Sequence, residues 1–516
     1  MHKFFKAVAF VTIFSVLTRA IGFFLRIYLS RVMGTEVLGA YQVAMSIFGV
    51  LMTVISSGIP LVVSRNVAYF DAQNNKKSQH QNITAGLIIS VLIAIVICVI
   101  LTAFPEILKL FMQSQESVNI ILYLLPALIA SAVYAILRGG LWGKKCFFTI
   151  SFSEFFEQVV RIVFCVILFE SSMSLSVGEK SALSLTISCI ISAVFVFVMY
   201  FVFGGRFSSP KAAILPVLKT STPITIVRTI SSVVGSLIAI IIPVQLMKYG
   251  YSNSEALSVF GIFMGMTMPV LMIPNTFIGS FAVALVPEVS AFTNNIDKTG
   301  VKDKNGLSLQ VSTAIKTAIV ISFMAMPAFI ALGEPICQFL FGNAQAGKFL
   351  SLCAIMMLPM GLGQICSSML NAIGLEMKAL ISYAVGAIAL FLCIILLPKY
   401  MGEYAMMLGL GLMHSITSLL SLRMLNKRKI IDWSFLKTVA ACLLICVPTT
   451  ILGRLVYSVI NKFSGLFVSL AVSGFLTVIF TILLMIVFNV TSLKVIVSKV
   501  VKRKKGKTRL LPLQNK

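Results

Sequence analysis

The chain has 516 residues, of which 59% are hydrophobic and only 11% charged, and this composition excludes an ordinary soluble domain. The formal net charge of +26 would suit a nucleic-acid-binding protein, but the basic residues lie between long apolar runs. The positive-inside rule for membrane proteins accounts for that distribution, so we expect no nucleic-acid partner.

Apolar runs of about 20 residues, the length that crosses a bilayer, recur along the whole chain and begin with residues 5–30 and 40–63. They predict an all-α integral membrane protein with about 14 transmembrane helices. Gaps rich in Lys and Arg alternate with gaps poor in them, which predicts that both termini are cytoplasmic.

The first apolar run carries Arg19 and Arg26, which are separated by nearly two helical turns and so lie on one face. An arginine at the bilayer centre costs roughly 2.5–3.5 kcal/mol even on the mildest scale. The pair could be satisfied by backbone carbonyls or by an acid on another helix. The alternative that we favour is a cationic patch for an anionic substrate, because guanidinium groups bind phosphate oxygens two at a time.

Other intramembrane charges extend this candidate site. Glu157 and Arg161 are four residues apart, so they could form an internal salt bridge, and Arg138 lies at a helix end where it could snorkel to the interface. Arg228 has no acidic residue at helical spacing on its own helix. The predicted substrate-binding residues are Arg19, Arg26, Arg228, Arg161, Glu157 and Arg138.

The two halves of the chain look related, since Leu137–Lys145 aligns with Leu370–Lys378 at a constant offset. We predict two pseudo-symmetric six-helix lobes around a central cavity, plus an extra C-terminal helix pair. The predicted boundaries are 1–220 for the first lobe, 221–430 for the second, 431–492 for the extra pair and 493–516 for a basic cytoplasmic tail.

Prolines within the predicted spans mark places where a helix can bend, because each one removes a backbone hydrogen bond. The predicted hinge or gating residues are Pro60, Pro269, Pro274 and Pro287, although static kinks are an alternative. No catalytic machinery is apparent: the three histidines are scattered, and the sequence has no Walker A loop and no metal-ligand cluster. We therefore predict that the protein is not an enzyme and needs no cofactor or metal.

Several segments carry a family resemblance, namely TRAIGFFLRIYLSR (18–31), LGAYQ (38–42), GIPLVVSR (58–65), LRGGLWGKK (137–145), EFFEQVVRI (154–162) and ALVPEVS (284–290). They resemble the stage V sporulation protein B branch of polysaccharide biosynthesis flippases, within the multidrug/oligosaccharidyl-lipid/polysaccharide exporter superfamily. The resemblance implies a bacterial cell-membrane flippase for an undecaprenyl-diphosphate-linked precursor, such as lipid II, used in peptidoglycan or spore cortex synthesis.

The resemblance extends to the related lipid II flippases, whose first-helix arginines meet the diphosphate. By motif the first of these falls on Arg19, and the second falls approximately on Arg26, which is followed here by Ile27 and not by an acid. The double arginine of their second helix is absent from Leu51–Val54. Both departures favour the sporulation-type branch.

The leading hypothesis is a flippase that moves a lipid-linked anionic glycan from the inner to the outer leaflet by alternating access. It would work as a monomer in contact with membrane lipid, with a coupling ion as a further partner. Two alternatives stay open: a cation-coupled multidrug antiporter that depends on Glu157, and a non-transporting scaffold for wall synthesis that acts through the basic tail.

Overall fold

The computed structural model describes residues 2–112, 114–299, 304–428 and 430–490, and the predicted basic tail 493–516 lies outside them. All regular structure in these residues is helical, which confirms the prediction of an all-α protein. Twelve helical stretches in this part of the chain are long and apolar enough to cross a membrane. The first, Ile13–Ala72, has 60 residues and is long enough to cross twice at about 1.5 Å per residue.

Two compact units make up the chain, and the first comprises Met1–Gly265. Its helices are α1 (His2–Ser56), α2 (Gly58–Ala72), α3 (Lys76–Ala103), α4 (Glu106–Lys109), α5 (Gln115–Gly143), α6 (Phe147–Glu170), α7 (Val177–Val202), α8 (Lys211–Lys248) and α9 (Asn253–Gly261). Helix α6 has 24 residues, also enough to cross a bilayer, but it carries Glu154, Glu157 and Arg161.

The break between the first two predicted spans is a single residue. Helix α1 continues through the expected gap and is interrupted only at Gly34, whose φ of 71° and ψ of 170° suit glycine and no other residue type well. Beyond the break, α1 packs closely against α9, because a Cβ atom at Gly39 would lie 1.9 Å from the carbonyl oxygen of Leu257. Glycine at this position thus allows direct contact between the two helix backbones, as in other membrane helix pairs.

The core of the first unit lies where α2, α3 and α5 meet, with α8 packed against α2 and α3. Its fully buried side chains include Val63, Val67, Ile83 and Ile136. Helix α1 packs against α5, α6, α8 and α9, so it lies at the centre of the unit's contacts. These contacts with neighbouring helices hold in place the part of α1 that carries Arg19 and Arg26.

The second unit comprises Met266–Lys516. Its helices are α10 (Met268–Thr299), α11 (Lys304–Phe341), α12 (Ala344–Cys353), α13 (Met357–Ala372), α14 (Glu376–Leu396), α15 (Pro398–Met401), α16 (Tyr404–Lys427), α17 (Phe435–Ile460) and α18 (Leu466–Val487). Helix α11 is central here and packs against α10, α12, α13, α17 and α18.

The division between the units falls inside a π-helical segment, Ile262–Thr267, that joins α9 to α10. This division lies further along the chain than the predicted boundary at residue 220, because α8 and α9 pack with helices of the first unit. The predicted lobe limits, which rest on the internal repeat, stay predictions.

Candidate functional site

Helix α1 presents a stripe formed by Arg19, Gly22 and Arg26, which lie on one face of the helix. Both arginines are exposed on the surface of the described chain. Neither one makes an ion pair with a residue that the structure describes. The alternative that an acid on another helix neutralises these arginines is therefore not observed in the described residues.

Helices α1 and α6 lie side by side and run in the same direction. Near the start of the contact, the rings of Phe14 and Phe155 are 5.6 Å apart, and further along Tyr28 stacks on Phe169, also at 5.6 Å. Between these contacts, a Cβ atom at Gly22 would lie 3.7 Å from Oε1 of Gln158. The parallel packing therefore brings Arg26 to the level of Arg161, three residues beyond Gln158.

Arg161 is held by a residue far away in sequence. Its Nη2 donates a hydrogen bond of 2.9 Å to the hydroxyl of Tyr41, and its Nε is buried without a hydrogen-bond partner. Because Arg26 and Arg161 lie at the same level of the α1–α6 contact, their guanidinium groups are like charges that act on each other, and Arg161 also attracts the carboxylate of Glu157. The predicted alternative of an internal salt bridge is not observed, because Glu157 and Arg161 form no ion pair with each other.

The acidic residues of α6 have other neighbours. Glu154 forms an ion pair with Arg138 of α5, so Arg138 does not snorkel alone to the interface as its position suggested. The Sγ atom of Cys189 on α7 approaches Oε1 of Glu157 at 4.0 Å. Glu154, which forms an ion pair, Glu157, which forms none with a described residue, and Arg161 thus follow one another within two turns of α6.

Arg228 is placed at a helix break and away from the Arg26–Arg161 pair. Its Nη1 donates a 3.3 Å hydrogen bond to the carbonyl oxygen of Ser57, the single residue that separates α1 from α2. Pro60 lies in the first turn of α2 just beyond this break. The structure therefore links Arg228 to the α1–α2 junction, and a substrate contact for Arg228 stays a prediction.

The remaining predicted hinge prolines lie in α10. Pro269 and Pro274 are buried near its start, and Pro269 lies two residues after the end of the π-helical segment. Pro287 is also within α10, but its side chain is outside the described residues. Local π geometry is a common response to a proline in a membrane helix, so the segment is compatible with the predicted hinge, which stays untested.

Comparison with known proteins assigns the family. A family model described as polysaccharide biosynthesis protein matches residues 4–293, which is more than half of the chain. The chain belongs to the polysaccharide biosynthesis protein family. The match covers α1, α6 and the rest of the first unit, so the arginine stripe lies within the family's matched region.

Two relatives from one organism are similar to this chain over most of its length. The chain is 20% identical to stage V sporulation protein B of Bacillus subtilis (strain 168) over 400 residues, covering 75% of this chain and 76% of that protein. An uncharacterized membrane protein of the same organism, YabM, is 22% identical over 409 residues, covering 76% and 74%.

The fold is that of known transporters. The structure of the lipid II flippase MurJ in an inward closed conformation superposes with a TM-score of 0.70 at 15% identity, covering 94% of this chain and 99% of MurJ. An inward-facing multidrug resistance MATE transporter of the MOP superfamily superposes with a TM-score of 0.61 at 17% identity, covering 80% and 94%. These comparisons confirm the predicted all-helical, multi-pass membrane fold, which the chain shares with this lipid II flippase and this MATE transporter.

Sequence analysis missed one residue of the site, Tyr41. It lies in the LGAYQ segment, which carried the family resemblance without any chemical role being assigned to it. Gly39 and Tyr41 of this segment have different roles. The glycine allows α9 to pack closely against α1, and the tyrosine accepts a hydrogen bond from Arg161.

Proposed function

We propose that the protein is a flippase that moves an undecaprenyl-diphosphate-linked cell-wall or polysaccharide precursor from the inner to the outer leaflet by alternating access. The diphosphate binds to Arg26 and Arg161, and Arg19 extends the same cationic stripe. Glycan transfer chemistry is not involved, so the cargo leaves the protein unchanged. The protein works as a monomer in the bacterial cell membrane, with both termini on the cytoplasmic side, as the distribution of Lys and Arg suggests.

The observation that carries this proposal is the pair of like charges formed by Arg26 and Arg161. Two guanidinium groups on neighbouring membrane helices repel each other, and Glu157 attracts Arg161 without forming a close ion pair with it. A bound anion converts that repulsion into attraction to both groups. The buried Nε of Arg161, which lacks a partner, is a donor that such an anion could also satisfy.

A diphosphate fits this site better than a single carboxylate does. Its two phosphate groups offer several oxygens, and each guanidinium can donate two parallel hydrogen bonds to one group. The hydrogen bond from Arg161 to Tyr41 uses one Nη2 donor and fixes the orientation of the guanidinium before cargo arrives. Preorganised donors of this kind bind without the full entropic cost of ordering a long side chain.

The test is a leaflet assay with labelled polyprenyl-diphosphate glycan in vesicles that contain the purified protein. Arg26→Gln and Arg161→Gln should each slow flipping at least tenfold, because a charge-assisted hydrogen bond contributes about 1.5–3 kcal/mol. The matched control is Arg423→Gln, which removes the same charge from an exposed site on α16. Flipping at the wild-type rate by both site variants, at equal protein content, would disprove the diphosphate site.

The cation-coupled antiporter is the second candidate, and Glu157 is the residue that favours it. This acid has no ion-pair partner in the part of the chain that the structure describes. An antiporter requires that Glu157→Gln abolish efflux driven by a cation gradient, while Arg26→Gln leaves it intact. The flippase proposal requires the opposite order of effects on precursor movement.

The scaffold alternative depends on the basic tail, and a truncation separates it from transport. Removal of the residues after Val501 deletes most of the basic run KVVKRKKGKTR. A scaffold should lose its function with that deletion, whereas a flippase in vesicles should keep its rate.

A further inference from the structure

Two of the segments that carried the family resemblance meet at one groove of the first unit. GIPLVVSR contributes Leu61, Val62 and Arg65, and LRGGLWGKK contributes Trp142 and Lys145. The groove has a volume of about 450 Å³ and continues onto Phe147 at the start of α6. None of its lining residues belongs to the Arg26–Arg161 pair, so the groove is a separate feature of the molecule.

Two glycines of α5 allow α5 and α2 to pack closely beside this groove. A Cβ atom at Gly139 would lie 2.8 Å from the carbonyl oxygen of Pro60, and one at Gly143 would lie 2.7 Å from the carbonyl oxygen of Ser64. The two glycines are one turn apart, so α5 and α2 touch along their backbones here. This close contact sets Arg65, next to Ser64, at the same level as Lys145, two residues after Gly143.

The chemistry of the groove combines two free cations with an apolar wall. Arg65 and Lys145 are both exposed, and neither makes an ion pair with another described residue. Lys144 differs, since its ammonium lies over the ring of Tyr200 at 5.9 Å and donates to the carbonyl oxygen of Phe203. Lys145 is therefore the lysine of this segment that the groove presents outward.

Trp142 places the groove at the edge of the membrane. Its side chain is 44% exposed and packs edge-on against Phe147 at 5.5 Å between ring centroids. Tryptophan is enriched where the hydrocarbon region meets the headgroups, and Lys145 lies two residues beyond a candidate membrane span that ends at Gly143. Two cations at that depth meet phosphate groups, while the exposed side chain of Leu61 beside them meets acyl chains.

We propose that this groove binds an anionic phospholipid of the leaflet on which α5 ends. The lipid phosphate lies between Arg65 and Lys145, and the upper part of an acyl chain covers Leu61 and Phe147. Basic pockets between membrane helices recognise anionic headgroups in this way. A free phosphate ion would satisfy the two cations but would leave the apolar wall uncovered, which is why the occupant is a lipid.

Trp142 makes the proposal directly measurable. The chain has two tryptophans, Trp142 and Trp433, so Trp433→Phe leaves Trp142 as the single fluorescent reporter. The protein is placed in phosphatidylcholine vesicles that contain either brominated phosphatidylglycerol or brominated phosphatidylcholine, since bromine quenches tryptophan at short range. We expect phosphatidylglycerol to quench Trp142 at a several-fold lower mole fraction than phosphatidylcholine.

Variants of the two cations connect this preference to the groove. In the same background, Arg65→Gln with Lys145→Gln should lower the preference about fivefold per cation removed, as for other basic residues at a membrane surface. The charge-conserving exchange Arg65→Lys with Lys145→Arg should retain most of it, which also shows that the groove still folds. The matched control, Lys427→Gln with Arg428→Gln, removes one lysine and one arginine from exposed positions at the end of α16 and should change nothing.

Three outcomes would overturn the proposal. Equal quenching by the two brominated lipids would show that the groove does not select anionic headgroups. An unchanged preference in the doubly neutralised variant would show that Arg65 and Lys145 do not recognise the lipid. Relief of quenching by added inorganic phosphate alone would identify a simple anion site. The assay involves no cargo, so its result does not depend on the proposed flippase activity.

Discussion

The substitution Gly39→Ala tests the closest helix contact of the first unit. The new Cβ atom would lie 1.9 Å from the carbonyl oxygen of Leu257 and 2.6 Å from its carbonyl carbon. Both are backbone atoms of α9, so no side-chain rotation can relieve the overlap. Gly49 lies on the same helix and is the matched control, because a Cβ atom there would have nothing within 4 Å.

The magnitude follows from comparing these two sites. Ordinary carbon–oxygen contacts are about 3.3 Å or longer, so α1 and α9 must separate by more than an ångström at Gly39. We expect a packing cost near the top of the usual range for overpacking, about 3 kcal/mol. Replacing glycine by alanine within a helix stabilises by about 1 kcal/mol. Gly39→Ala should therefore destabilise by about 2 kcal/mol, and Gly49→Ala should stabilise by about 1 kcal/mol.

The assay is reversible unfolding of both variants in mixed detergent micelles, followed by circular dichroism. The helix-propensity gain is common to the two variants, so the difference of about 3 kcal/mol between them reports the α1–α9 contact alone. Equal stability of Gly39→Ala and Gly49→Ala would refute the close backbone approach. Because Tyr41 is only two residues from Gly39, precursor flipping should fall in Gly39→Ala and not in Gly49→Ala.

Three further predictions concern single hydrogen bonds. Tyr41→Phe removes the acceptor for Arg161; flipping should slow severalfold in the vesicle assay and unfolding stability should fall by about 1 kcal/mol, and an unchanged rate would contradict the positioning role. Arg228→Ala leaves the Ser57 carbonyl without this donor; we expect a loss of about 1 kcal/mol in detergent unfolding, and a loss of flipping without a loss of stability would instead indicate a cargo contact. Ser252→Ala removes the serine half of the capping box of α9; the loss should be about 1 kcal/mol, with Ser252→Thr restoring most of it.

The fold was predictable because a bilayer demands apolar helices of a set length, and that demand is visible in the sequence. The boundary between the first two spans was less predictable than the fold. The polar residues around Arg31 and Glu36 suggested a gap at residues 31–39, whereas the chain needs only the unusual backbone of Gly34 to change direction. A helix can carry exposed polar residues at its membrane end without forming a loop.

The charged residues of the candidate site were predictable from the sequence, but their hydrogen-bond partners were not. Arg19, Arg26 and Arg161 stood out because arginine is costly in a membrane. The bond from Arg161 to Tyr41 joins residues 120 positions apart, and it depends on how α6 packs against α1. Helical spacing favoured Glu157 as the partner of Arg161, since spacing describes one helix and contains no information about the neighbouring helix.

The π-helical segment Ile262–Thr267 has a consequence for motion along its own helix. In π geometry each carbonyl accepts from the residue five positions later, one more than in an α-helix, so the segment stores one surplus residue. That surplus can travel along a helix by exchanging one hydrogen bond at a time. Pro269 has no N–H group to exchange, which blocks travel toward α10. We therefore expect the surplus residue to shift back and forth on the α9 side of Pro269 and not beyond it.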